Sequence, residues 1–71
     1  MELMEHEKKE RLSREQAAQR LRELADQLAR HNEVSFVREG KTLSVKVPDQ
    51  VELKLEVEVG EESEIEIELS W

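Results

Sequence analysis

The chain is expected to fold as a two-layer α+β domain: a four-stranded antiparallel meander packed on one helix, with a fifth, N-terminal edge strand as an option. Two periodicities and one limit lead there. Val51, Leu53, Leu55, Val57 and Val59, then Ile65, Ile67, Leu69 and Trp71, recur at every second residue, which puts them on one face of pleated strands. Ala17, Leu21, Leu24 and Leu28 recur at helical spacing, flanked by Ala18, Ala25 and Ala29, and form one apolar stripe narrow enough to lie close against a sheet. The limit is length, since 71 residues allow one small core and little more.

Residues 1–12 read as an N-terminal arm or edge strand, and residues 13–71 as a single domain. Met1 to Arg11 is mostly charged and weakly patterned. Ser13 is placed to cap a helix, Gln16 three positions later completes a capping box, and Leu12 can staple onto Ala17. The helix is therefore expected to begin at about Arg14 and to end near His31 and Asn32. Val34 and Phe36 alternate with Ser35 and Val37 in a first strand, broken at Glu39-Gly40. Leu43, Val45 and Val47 mark a second strand, closed by the turn signal Pro48-Asp49. The two strands of the long alternating stretch follow.

Number parity tests whether these strands can pair in sequence. Facing residues in an antiparallel pair have a constant sum, and a one-residue slip sends a whole apolar set to the wrong side. A two-residue turn at Glu39-Gly40 brings Phe36 opposite Leu43. A loop over Pro48 to Gln50 sets Val47 opposite Val51, and a loop over Gly60 to Glu62 sets Val57 opposite Ile65. All three joins agree with one buried face. The same register puts Glu56 opposite Glu66 and Glu58 opposite Glu64, and like charges directly opposed destabilise a sheet. Lys54 opposite Glu68 offsets part of this, and stability is expected to rise with added salt.

The charge is unevenly placed. The net −7 belongs wholly to residues 33–71, because residues 1–32 hold seven acids and seven bases. Such a field disfavours nucleic-acid phosphates and anionic lipid. Arg14, Arg20, Arg22 and Arg30 spread around the helix instead of forming a basic stripe, so no nucleic-acid partner is expected. No apolar run approaches a membrane span and no signal-peptide layout opens the chain, so a cytoplasmic protein without membrane attachment is expected. The absence of cysteine excludes a disulfide framework and a thiolate metal site.

Few residues carry recognisable chemistry. His6 and His31 have no second histidine or cysteine at ligand spacing, and no serine or threonine has a histidine-and-acid context. No catalytic residue, cofactor or dedicated metal site is expected. The candidate interaction surface is the acidic side of the last two strands, Glu56, Glu58, Glu64, Glu66 and Glu68, where opposed carboxylates about 5 Å apart could share a hard cation. The competing explanation is that these acids keep long Val/Ile/Leu strands from pairing with other chains. Trp71 shares parity with Leu69 and Ile67, so it is expected to close one end of the core, with truncation costing about 3 kcal/mol. A ligand pocket beside it is the alternative.

The segment Ser13-Arg14-Glu15-Gln16-Ala17-Ala18, continuing through Leu21-Arg22-Glu23-Leu24-Ala25-Asp26, resembles the small prokaryotic amphi-Trp domain family. So do Val47-Pro48-Asp49 and the ending Ile65-Glu66-Ile67-Glu68-Leu69-Ser70-Trp71. The resemblance spans nearly the whole chain. It implies a compact domain, brings no catalytic residues, and favours an edge strand over Leu3 to Lys8. The expected function is a noncatalytic interaction module, with an unknown protein partner or self-association through an edge strand or the Val37 side. The alternative is a domain that binds a small ligand or divalent cation at the acidic face or near Trp71.

Overall fold

The computed structural model describes residues 9–71, in the order α1 (Arg14–Arg30), β1 (Glu33–Arg38), β2 (Lys41–Lys46), β3 (Glu52–Glu58) and β4 (Glu64–Ser70). The expected edge strand over Leu3 to Lys8 lies outside the described residues, and residues 9–13 are irregular.

Helix α1 begins where the capping chemistry puts it. The Gln16 backbone N–H donates to Ser13 Oγ at 3.1 Å, and the Ser13 N–H donates to Gln16 Oε1 at 3.0 Å. Two of the amides that a helix start leaves without intrahelical partners are thereby satisfied reciprocally. The far end closes on His31, whose backbone is extended and whose N–H donates to Gln27 O at 2.9 Å. Ser13→Ala removes the hydroxyl half of the box and is expected to lower stability by about 1 kcal/mol. Thermal melting followed at the helix band of circular dichroism checks this, and an unchanged midpoint would count against the cap.

Strands β1 and β2 pair antiparallel with Phe36 opposite Leu43 and Val34 opposite Val45. They are joined by the two-residue turn Glu39-Gly40, with φ of 51° and 76°. Positive φ at both central residues defines the turn whose twist matches a hairpin, and asparagine followed by glycine suits it best. A glutamate in this left-handed region is strained. Glu39→Asn is accordingly expected to raise the denaturation midpoint, by about 0.5–1 kcal/mol in stability.

The core sits between α1 and this hairpin. Val34 is 3% exposed and is the one buried apolar side chain among the described residues. Leu24, Leu28, Leu43, Val45 and Val47 are half-buried around it. Gln27 completes the junction: its Oε1 accepts the Ser35 backbone N–H at 3.0 Å. The bond falls on the outer edge of β1. Val47 N–H donates to Asn32 O at 2.8 Å, so in this register the even-numbered residues of β1 face β2 and Ser35 faces away.

Strands β3 and β4 also pair antiparallel, in the register that parity predicts: Leu55 opposite Ile67, Val57 opposite Ile65 and Leu53 opposite Leu69. Two corrections follow. The four strands form two separate two-stranded sheets and not one meander. Residues 47–51 connect β2 to β3 without the expected pairing of Val47 and Val51, and Pro48 among them has no amide proton to give a ladder. Among the described elements α1 touches β1, the strands touch within their hairpins, and β3–β4 packs on neither α1 nor β1–β2.

The second correction concerns burial. The apolar face of β3–β4 is open to solvent, with Leu55 64% and Ile67 52% exposed. Trp71, expected to close the core, is 61% exposed. Period two sorts residues between the faces of a hairpin, whereas burial also requires a covering layer, and α1 covers the first hairpin only.

Candidate functional site

Alternation divides the β3–β4 hairpin into two chemically opposite sides. Leu53, Leu55, Val57, Ile65, Ile67 and Leu69 share one side, and Glu52, Lys54, Glu56, Glu58, Glu64, Glu66 and Glu68 share the other. Neither is shielded by another of the described elements.

The structure brings the acidic candidates together as the sequence implies. Glu56 faces Glu66, Glu58 faces Glu64, and Glu68 faces Lys54. Lys54 Nζ lies 3.7 Å from Glu56 Oε2, on its own strand, with both side chains more than half exposed. An exposed pair of this kind contributes little, about 0–1 kcal/mol. Glu56, Glu58, Glu64 and Glu66 border a hollow of only about 10 Å³, room for about one water. Among the described residues no group of three or more acids, histidines or cysteines is placed to hold a metal ion. The reason is geometric: a flat ladder presents its carboxylates in parallel, and hard cations require oxygens converging from several directions.

Trp71 borders an open hollow of about 430 Å³ with Gln50, Val51, Glu52 and Ser70. Only one end of the hairpin and the incoming loop line it, so a ligand there would keep much of its surface in water, unlike one in an enclosing cleft. His31 is the exposed cap residue of α1, and His6 lies outside the described residues. The Val37 side of β1, weighed as a route to self-association, is exposed, with Val37 at 63%.

The apolar side of the second hairpin is the surface the sequence reading missed as a site. Leu53, Leu55, Val57, Val59 and Ile65 are 61–82% exposed, alongside Ile67 and Trp71. Contiguous exposed apolar faces are characteristic of surfaces that meet a partner, a membrane or a ligand. The signal that could have revealed it is numerical. Nine alternating apolar residues over Val51 to Trp71, beside those of the first hairpin, confront a single helix whose leucines are three.

No α-helix among the described residues is long and apolar enough to cross a membrane. Comparison with curated proteins and with solved structures finds no match to the chain. A family model for the Amphi-Trp domain, by contrast, matches residues 1–71, from the first methionine through the capped helix and both hairpins to the closing tryptophan. The match covers the whole of the sequence, and the chain belongs to the Amphi-Trp domain family.

Proposed function

We propose that this domain is a noncatalytic protein-interaction module of the cytoplasm, which docks through the apolar side of β3–β4 and keeps the acidic side toward water. One observation carries the reading: the large side chains of a whole hairpin face share one plane and remain 52–82% exposed from Leu53 to Ile67. Burying a Leu, Ile or Val side chain contributes about 1.5–3 kcal/mol. Six such residues left mostly open therefore represent a driving force as large as the whole stability of a small domain. The acids on the reverse serve solubility and discourage pairing with unrelated strands.

Trp71 is the sole tryptophan and reports on that surface directly. In dilute solution its fluorescence is expected to be quenched freely by acrylamide, and an apolar dye is expected to bind the chain and to lose binding in Leu55→Lys. A Trp71 shielded from quencher in the monomer would mean that the apolar side closes within the chain, as in a single four-stranded meander under α1, and would overturn the reading.

A second reading, weak divalent-cation binding, is favoured by the two opposed pairs Glu56–Glu66 and Glu58–Glu64. Titration with Ca²⁺ or Mg²⁺ at concentrations too low to screen charge tests it, since specific binding to the folded state raises the melting temperature by mass action. A midpoint that moves only with ionic strength would dismiss it.

A further inference from the structure

We propose that the occupant of the apolar side of β3–β4 is a second copy of the same chain, packed face to face about a two-fold axis. This rests on the interaction reading above and names its partner. The open area is of the size an interface needs. Burying one large aliphatic side chain contributes about 1.5–3 kcal/mol at about 25 cal/mol per Å², which corresponds to roughly 60–120 Å² each. Leu53, Leu55, Val57, Val59, Ile65 and Ile67, 52–82% exposed, thus offer roughly 350–700 Å², and the exposed Trp71 brings the side close to the about 800 Å² per partner of a standard interface.

The placement of charge favours the same occupant. The apolar side of the paired strands, from Leu53 to Leu69, contains no charged residue, and all seven charged residues of β3 and β4 project from the reverse side. A partner chosen by charge complementarity would meet the acidic side instead. Two copies of the apolar side meet without burying a charge, which would cost far more than the contact returns. Packed sheets lie about 10 Å apart, so the acidic sides end up on the far faces of the pair, beyond the screening length of about 8 Å at physiological salt. The repulsion between two chains of net charge −7 is thereby weakened where it would otherwise be greatest.

α1 is committed to the first hairpin through Val34 and through the Gln27 to Ser35 bond. The chain's only described helix is thus occupied. A two-fold face-to-face contact is self-complementary and closes at two copies, and strands of seven residues give it a ridge about 24 Å long.

Sedimentation equilibrium on the full chain over a wide concentration range tests this, together with the acrylamide accessibility of Trp71. The expected result is a mass twice the monomer's, reversible on dilution, with Trp71 shielded in the dimer and quenchable in the monomer. Leu55→Lys is expected to raise the dimer dissociation constant roughly 100-fold or more, because the two-fold axis applies each substitution twice. The cysteine-free chain allows a companion measurement that needs no disruptive variant. Leu55→Cys is expected to link into a covalent dimer with a short bis-maleimide, and Glu56→Cys, on the reverse side, is not.

Equal cross-linking at both positions, or a mass that keeps growing with concentration, would overturn the closed face-to-face pair. A monomer at every concentration with Trp71 quenchable would overturn the second copy and leave the interaction reading standing. A monomer with Trp71 shielded would overturn both.

Discussion

Val34→Ala is expected to lower stability by about 2–3 kcal/mol, the largest effect of any single truncation in the α1–β1–β2 unit. Val34, 3% exposed, is the only buried apolar side chain among the described residues of that unit. Deleting its two methyl groups loses about 0.8 kcal/mol for each buried carbon, and the space left between α1 and β1 adds a further term. Helices and two-stranded hairpins are marginal alone, so the loss falls on both elements at once. Chemical denaturation followed by helix circular dichroism measures it. A change smaller than about 0.5 kcal/mol, the ordinary size at exposed sites, would show that the junction lies elsewhere. Because β3–β4 touches no other described element, Trp71 fluorescence should respond to Val34→Ala far less than the helix signal does. Coincident shifts in both probes would indicate a single cooperative unit.

The double variant Glu64→Lys/Glu66→Lys is expected to be more stable than the parent by about 1–3 kcal/mol at low salt. Each substitution converts a directly opposed like-charge pair, Glu58–Glu64 or Glu56–Glu66, into an opposite-charge pair. Cross-strand pairs of either sign amount to about 0.2–1 kcal/mol each, so two reversals add the lost repulsion to the gained attraction. The Lys54–Glu56 contact is left in place. Salt separates this cause from a general effect of net charge. The parent's melting temperature should rise between low and moderate ionic strength as repulsion is screened, and that of the variant should stay flat or fall. A parent whose midpoint ignores salt would contradict the register.

Local structure was largely legible in the amino acids. Ser13 and Gln16 specify the start of α1 because the capping box is a contact within one turn. Parity specifies Phe36 opposite Leu43 and Val57 opposite Ile65 because a hairpin register depends only on its own turn and alternation. The Glu56–Glu66 and Glu58–Glu64 oppositions follow from the same arithmetic. How the finished pieces meet is not written in local pattern. A compatible sum permits β2 to pair with β3, yet a permitted register is no force drawing two strands together. Alternation distributes Leu55, Ile67 and Trp71 to one face without supplying the layer that would cover it. The Gln27 to Ser35 bond carried no signal in the sequence, since a glutamine midway along a helix looks like any solvated residue.

That bond decides how growth by strand addition can proceed. An incoming extended segment docks by completing a row of backbone partners, and on β1 one of the outward amides, that of Ser35, is already occupied by the Gln27 carboxamide. Among the described residues β2 carries no such latch, so the two margins of the first hairpin are unequal, and a newcomer meets less competition along β2 than along β1. Gln27→Ala is expected to even them out, so that an added extended peptide protects the amide of Ser35 from hydrogen exchange in the variant more than in the parent.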